Sequence, residues 1–341
     1  MRVASLGTAA YNPPNSLSSQ PNYFASEKLR PIRASLLRWF SREQRRLPWR
    51  ETRDPYRIWI SEVMLQQTRV GVVVQRYGEF LERFPDVHAL ARAQLDEVLA
   101  AWSGLGYYRR ARALHEAARE IVRHRAGKLP RSSQEWQTLP GIGRYTAAAI
   151  ASIAFGEAVA VLDGNVERVL RRLLGLPLNS ASQIWDAAGQ LLSRSSPGDF
   201  NQAMMELGAT ICLPAQPRCA HCPIRSWCVT QGVLPRTASV ARKKKSIAYG
   251  LAQRNGRVYL VRRPPKTSLM PDMWELPEIQ PNNHPVRFEL RHAITVTDYR
   301  VSVVRVRAQE VNGGSWVRSD ELRKLPLTGL ARRILRLASV I

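Results

Sequence analysis

The thiols of this 341-residue chain are Cys212, Cys219, Cys222 and Cys228, spaced C-x6-C-x2-C-x5-C. Thiolates so close along one segment can fold around a single soft centre, and four of them suit either zinc or an iron–sulfur cluster. Zinc sites of this composition usually join two well-separated C-x2-C pairs, so the compact spacing leans toward iron and sulfur. Pro214, Pro217 and Pro223 make the segment a loop, which argues against four unligated thiols in a core helix. A closed four-thiolate site has no open coordination position. Its expected part is therefore architectural, with Arg218 and Arg225 held out toward phosphate.

A second group of residues points to an anion and to proton chemistry. Leu139-Pro140-Gly141-Ile142-Gly143 precedes a helix expected to begin near Tyr145. Two glycines free to take positive φ can turn the chain tightly and aim backbone N–H groups at an anion beside a helix N-terminus. Such a contact binds phosphate without reading bases; by itself the segment would serve equally as a packing turn. Twenty positions after Gly143, Asp163 stands just before a helical stripe of Val166, Val169, Leu170, Leu173 and Leu174. Asp163 can cap that helix, but Asn165 can do so as well and leave the carboxylate free. Glu62 lies among Trp59, Ile60, Val63, Met64 and Leu65. Burial there would raise its pKa toward that of a general acid at neutral pH, whereas on the surface it would pair with Arg57 or Arg69.

The elements that position these groups fall into two classes. From residue 28 to about 231, apolar residues recur at helical spacing between short Gly and Pro breaks, as in the stripe Ala111, Leu114, Ala118, Ile121 and Val122; this part reads as all-α. Residues 233–246, with the cluster Arg242, Lys243, Lys244 and Lys245, read as a basic linker. Beyond it, β-rich runs at 247–251, 258–261, 294–296 and 301–306, with turns at Asn255-Gly256 and Asn312-Gly313-Gly314, read as a smaller α+β domain over 247–341. Residues 1–26 mix Asn, Pro and Ser without a sustained apolar core, so a disordered leader is expected, not a secretory signal.

With 45% hydrophobic and 23% charged residues the chain is neither disordered nor collagenous. Its net charge of +24 points to a polyanion, most simply nucleic acid. An anionic membrane surface is the plainer rival, and no apolar run reaches the roughly 18 residues of a spanning helix. A cytoplasmic location is expected.

The hairpin, the later Asp163 and the cysteine loop together resemble the helix-hairpin-helix superfamily of DNA glycosylases that carry a four-iron, four-sulfur (4Fe-4S) cluster. Leu47-Pro48-Trp49-Arg50, the run from Trp59 to Thr68, Gly104-Leu105-Gly106-Tyr107-Tyr108 and the run from Phe200 to Gly208 resemble more closely the MutY family of adenine DNA glycosylases. The likeness extends from about Leu47 to Cys228. It implies a six-helix module at about 51–160 and an iron–sulfur module made of 27–50 plus 161–232, with the four cysteines holding one cluster.

The implied activity is monofunctional hydrolysis of the N-glycosidic bond of adenine opposite 8-oxoguanine or guanine in double-stranded DNA, by a monomer, at the start of base excision repair. Glu62 would protonate the adenine ring and later help activate water, while Asp163 stabilises the sugar cation, the logic of paired carboxylates in glycoside hydrolysis. Tyr145 and Asn165 would support them. Gln67 and Tyr107 are the expected wedges that replace the extruded base, Gly141 and Gly143 would meet phosphate, and Trp49 and Arg50 would line the pocket. Members with lyase activity, which resemble endonuclease III, carry a Lys nucleophile two positions after the second hairpin glycine. Here Tyr145 stands there, and a phenol cannot form a Schiff base. A pyrimidine-lesion glycosylase with lyase activity is disfavoured on that ground. A non-catalytic iron–sulfur DNA-binding protein is disfavoured because it has no use for both Glu62 and Asp163.

The stretch from Gly256 to Pro264, followed by Met273-Trp274-Glu275-Leu276-Pro277, resembles the Nudix-like domain of that family. It lacks the dense run of carboxylates a Nudix hydrolase needs for divalent metal, so it is expected to recognise and not to hydrolyse. The family reads 8-oxoguanine with a Phe-Ser-His segment; here Arg291-His292 is followed by Ala293-Ile294-Thr295-Val296, so Thr295 keeps the hydroxyl while the aromatic ring and the imidazole are lost.

Overall fold

The computed structural model describes residues 21–175, 180–233, 242–267, 269–280, 285–294, 296–311 and 313–341. The first part is helical: α1 (Ser26–Glu43), α2 (Pro55–Leu65), α3 (Val70–Arg83), α4 (Val87–Arg92), α5 (Leu95–Ala101), α6 (Arg109–Arg125), α7 (Ser133–Trp136), α8 (Arg144–Phe155), α9 (Gly164–Leu174), α10 (Ala181–Leu191) and α11 (Pro197–Thr210). None of the described helices is long and apolar enough to cross a membrane.

Helix α2 lies at the centre. Asp54 starts it by accepting hydrogen bonds from the Tyr56 and Arg57 amides, with Pro55 in the first turn where no donor is needed. Residues from Ile58 to Met64 are buried on all its faces, Glu62 included. Helix α8 packs beside it, and its fully buried run Ala147 to Ala151 lets the two backbones approach. Trp59 of α2 packs against Trp136 of α7, ring centroids 5.4 Å apart.

The first and last helices of this part are built together. Helix α1 packs on α11, and Arg33 donates to the carbonyls of Leu191 and Gln190 at 3.0 and 2.7 Å. Packing starts before the expected boundary at residue 26: Phe24 is buried and the Tyr23 amide donates to Gln190. Residues 1–20 of the expected leader lie outside the described residues.

The C-terminal part contains β1 (Lys243–Leu251), β2 (Gln253–Arg254), β3 (Arg257–Arg262), β4 (Trp274–Glu275), β5 (Glu278–Ile279), β6 (Val286–Ile294), β7 (Thr297–Arg305), β8 (Gly314–Arg318) and α12 (Gly329–Leu337). One sheet runs β5-β1-β7-β6, with β1 parallel to β7; the other joins β2, β3 and β4, with β8 against β3. Leu251, Leu260, Val301 and Val303 pack with Leu330 and Ile334 of α12 into one core.

Two expectations change here. Lys243 to Lys245 are not linker but the start of β1, paired with Thr297 to Tyr299; a parallel partner more than fifty residues away overrides the local charge. Ile294 ends β6, and Thr297 begins β7 directly opposite it, so Ile294 belongs to the strand that starts at Val286 and Val296 lies outside both strands. Residues 234–241 of the expected linker lie outside the described residues, as do Thr295 and Asn312. The Asn255-Gly256 turn has both residues at positive φ, 48° and 66°, which suits the right-handed twist of a β2–β3 hairpin.

The two parts touch. The Tyr108 hydroxyl donates to the Leu327 carbonyl at 3.2 Å, Arg112 to the Pro271 carbonyl at 2.6 Å, and Arg262 to both oxygens of Asp96 at 2.9 and 3.0 Å. Met273, from the loop before β4, is fully buried against the helical core.

Candidate active site

A cavity of about 830 Å³ opens where α2, the turn before α8 and the start of α9 converge. Glu62, Tyr145, Asp163 and Asn165 line it, as do the hairpin glycines and Gln67 and Tyr107 at the rim. Residues drawn from positions 62 to 165 thus meet at one space, within the usual size range of a small-molecule site.

Glu62 is 5% exposed, which removes the surface-pair alternative with Arg57 or Arg69. Burial raises its carboxyl to about 7, helped by the nearby Asp163 and opposed by a hydrogen bond from Tyr145 and by Arg50. The Tyr145 hydroxyl donates to Glu62 Oε2 at 2.8 Å and also lies 3.2 Å from Met205 Sδ. Burial, with Glu62 and Asp163 beside it, holds the Tyr145 phenol well above its ordinary range, so Tyr145 stays a donor.

Asp163 is the cap of α9, and it also lines the cavity. Its Oδ1 accepts from the Asn165 and Val166 amides at 2.9 and 2.7 Å and caps α9, while Oδ2 accepts from Asn165 Nδ2 at 2.9 Å. Asn165 therefore orients the acid and does not replace it as the cap. Arg168 extends the chain of contacts, donating to Asn165 Oδ1 at 2.8 Å, to the Gly208 carbonyl at 2.7 Å and to the Cys212 carbonyl at 2.8 Å. The α9–α11 contact that permits this is so close that a Cβ on Gly208 would lie 2.6 Å from the Asn165 Cβ.

One acid in this region had no distinguishing local pattern. Glu206, on α11, has a fully buried side chain and accepts from Arg45 at 2.8 and 2.7 Å and from Arg50 at 2.8 Å. Burial alone would push its carboxyl up; the two guanidinium groups outweigh that and hold it at about 2. Arg50 is thereby committed to Glu206, with its cation 5.2 Å from the Phe40 ring centre. Trp49 is buried edge-on against Tyr77, centroids 5.5 Å apart. Both belong to the cavity wall.

Of the hairpin glycines only Gly141 has positive φ, at 72°, and a Cβ there would meet the Ala113 Cβ at 2.4 Å. Gly143 is extended, φ −87° and ψ 175°, and occupies the N-cap position of α8. Gln67 and Tyr107 are non-glycine residues in the left-handed region, φ 55° and 47°, and Tyr107 is 48% exposed. Each such residue costs roughly 1–3 kcal/mol, and strain of this kind gathers at functional sites. Tyr108, in contrast, is buried.

The four cysteines surround a hollow of about 30 Å³ walled also by Arg172 and Arg225. They are free and partly buried, and burial together with the other three thiols pushes Cys222 up to about 11. Arg172 donates to Cys212 Sγ at 3.3 Å and to the Leu213 and Pro214 carbonyls at 2.7 and 2.8 Å, and Cys228 Sγ donates to the Arg172 carbonyl at 3.3 Å. Among the described residues no group of three or more His, Cys, Asp or Glu closes around a point as a single metal ion requires. Four thiols line one hollow, with Cys212 and Cys228 both tied to Arg172, a donor set that fits a group bound through sulfur. Arg218 and Arg225 are exposed. Thr295 lies outside the described residues. Arg291, His292 and Tyr299 line a separate hollow of about 570 Å³ with Lys244 and Lys245.

Residues 60–193 match the HhH-GPD superfamily of base excision DNA repair proteins. The chain is 48% identical to the human adenine DNA glycosylase over 211 residues, 58% of this chain and 39% of that sequence. It is 36% identical to the Arabidopsis thaliana adenine DNA glycosylase over 324 residues, 80% of this chain and 51% of that sequence. The chain thus spans about half, or less, of the length of these relatives. Among solved structures, a thermostable thymine-DNA glycosylase superposes with a TM-score of 0.57 at 31% identity, covering 60% of this chain and 97% of the other.

Proposed function

Because the chain belongs to the HhH-GPD superfamily of base excision DNA repair proteins, we propose that it is a monofunctional adenine DNA glycosylase acting on adenine opposite 8-oxoguanine or guanine in duplex DNA. The observation that carries this reading is that a buried, proton-holding Glu62 and Asp163, the cap of α9, line one cavity beside the hairpin. Glu62 gives its proton to the adenine ring as the glycosidic bond breaks. The Asp163 carboxylate, fixed by Asn165 and the α9 amides, stabilises the positive charge left on the sugar. Glu62, now ionised and still bonded to Tyr145, takes a proton from the water that attacks the sugar carbon. Tyr145 offers no amine, so the backbone is left uncut.

The cysteine loop is read as the seat of one 4Fe-4S cluster on Cys212, Cys219, Cys222 and Cys228, supported by the shared hollow and the bracing Arg172. When bound, that group would cross-link the loop and so hold Arg218 and Arg225 toward phosphate. The C-terminal part is read as a Nudix-like domain that recognises the base opposite the adenine, with Thr295 as one contact.

The test uses duplexes carrying adenine opposite 8-oxoguanine, opposite guanine and opposite thymine, with thymine opposite guanine as a control, each treated with and without alkali. Strand breaks after alkali at the first two pairs are expected. Breaks without alkali would refute the monofunctional reading, and breaks only at thymine opposite guanine would refute adenine as the substrate. Visible absorption of thiolate-bound iron checks the cluster, and a colourless zinc-loaded protein would refute it.

A further inference from the structure

One cation behind the cavity rim takes no part in the steps above. Arg110, in the first turn of α6, donates from Nη1 to the carbonyls of Val63, Met64 and Gln66 at 2.7, 2.9 and 2.5 Å. From Nη2 it donates to Thr68 Oγ1 at 2.9 Å and to the carbonyls of Leu105 and Gly106 at 3.0 and 3.1 Å. Three of these acceptors are carbonyls left open at the C-terminal end of α2, the helix that carries Glu62. The others belong to the two loops that present Gln67 and Tyr107.

Both loops are held in a conformation that non-glycine residues keep only when their surroundings impose it, and Arg110 is bonded to a neighbour on at least one side of each. Thr68 ties the loops a second time by donating to the Leu105 carbonyl at 3.1 Å. The guanidinium also faces the Tyr107 ring, 5.5 Å from its centre, and the buried Trp102 ring at 5.4 Å. One planar fork therefore links the end of the acid-bearing helix to both loops that carry the exposed side chains. A lysine ammonium, with three donors on a single atom, cannot span the same acceptors.

We infer that Arg110 is a positioning residue for base extrusion, fixing the Gln67 and Tyr107 loops as one rigid wedge in register with α2. This rests on the proposed reading of the protein as a duplex adenine glycosylase. Arg110 does its work without touching DNA: it determines where the two side chains stand before the duplex arrives, so that unstacking the target is not also spent on ordering the loops.

The test compares Arg110→Lys and the milder Thr68→Val with the unmodified chain, in single-turnover excision from two substrates. One is a duplex with adenine opposite 8-oxoguanine; the other carries the same adenine in an unpaired bulge, already out of the stack. In parallel, 2-aminopurine next to the target reports unstacking in a Glu62→Gln background. Arg110→Lys is expected to slow the paired duplex at least about tenfold more than the bulge, roughly 1.4 kcal/mol of extrusion energy, and to diminish the fluorescence rise; Thr68→Val is expected to follow in the same direction with a smaller change. If Arg110→Lys does not fold, as judged by its melting curve, the Thr68→Val comparison decides. Equal losses on both substrates, or none on either, would overturn the role of Arg110. Failure of the unmodified chain to release adenine from either substrate would instead overturn the functional reading on which it rests.

Discussion

Replacing Glu62 by Gln is expected to abolish excision and at the same time to stabilise the fold, by an amount that grows with pH. Burial raises this carboxyl from an ordinary value of 4.5 to about 7. The folded pKa thus lies above the unfolded one, so stability from the bound proton is complete below about 4.5 and is lost as pH rises through about 7. At 1.36 kcal/mol per pH unit, that rise corresponds to about 3 kcal/mol at pH 8. Gln has the same shape, carries no charge and keeps an oxygen for the Tyr145 hydroxyl. For a chain of this size each kcal/mol moves the midpoint by roughly 2–4 °C, so the variant should melt roughly 6–12 °C higher at pH 8, with the difference vanishing near pH 4. Melting curves of both proteins between pH 4 and 9, with excision rates measured in parallel, supply the comparison. A difference that does not vary with pH, or a less stable variant at pH 8, would refute the claim that burial holds the proton on Glu62.

Three further outcomes follow from the same contacts. Tyr145→Phe removes a hydrogen bond that favours the ionised Glu62, so the decline of excision at alkaline pH should move up by about 1–2 pH units in single-turnover profiles. Glu206→Ala leaves Arg50, whose side chain is 10% exposed, without its anion, and should cost about 3–5 kcal/mol in denaturant unfolding. Because the Glu206 carboxyl sits at about 2, below its ordinary value, that stabilisation is present above about 4.5 and is lost as pH falls through 2, so the variant should approach the parent only in strong acid. Gly208→Ala forces α11 away from Asn165 and should cost about 1–3 kcal/mol while lowering the excision rate with little change in DNA affinity, as gel shift beside single-turnover kinetics would reveal.

Much of the site was readable because its chemistry is written in short spacings. The hairpin, Asp163 with Asn165 and Glu62 on an apolar helix each occupy a few adjacent positions, the four cysteines fall within 17, and folding then brings the first three to one cavity. Glu206 and Arg110 were not readable in this way. Arg45 is 161 positions from Glu206, and Arg110 is defined by carbonyls at positions 63 to 66, which no side-chain pattern records. The same limit explains the strand errors. Lys243 to Lys245 look like solvated linker until β7 supplies a partner, and the β-branched Ile294 gives no local sign that a strand ends with it.

The union of α1 with the helices around α11 has a consequence for how the protein is made. Arg33 is satisfied by Gln190 and Leu191, Ser35 by the Pro223 carbonyl at 2.7 Å and Arg45 by Glu206, so the ribosome releases α1 long before its partners exist. At roughly 5–20 residues per second, the apolar face of Ile32, Leu36 and Phe40 waits on the order of 10 s or more for the segments that will cover it. Nascent chains stalled between α8 and α11 should therefore recruit chaperones, and synthesis without them should lose material to aggregation at that stage.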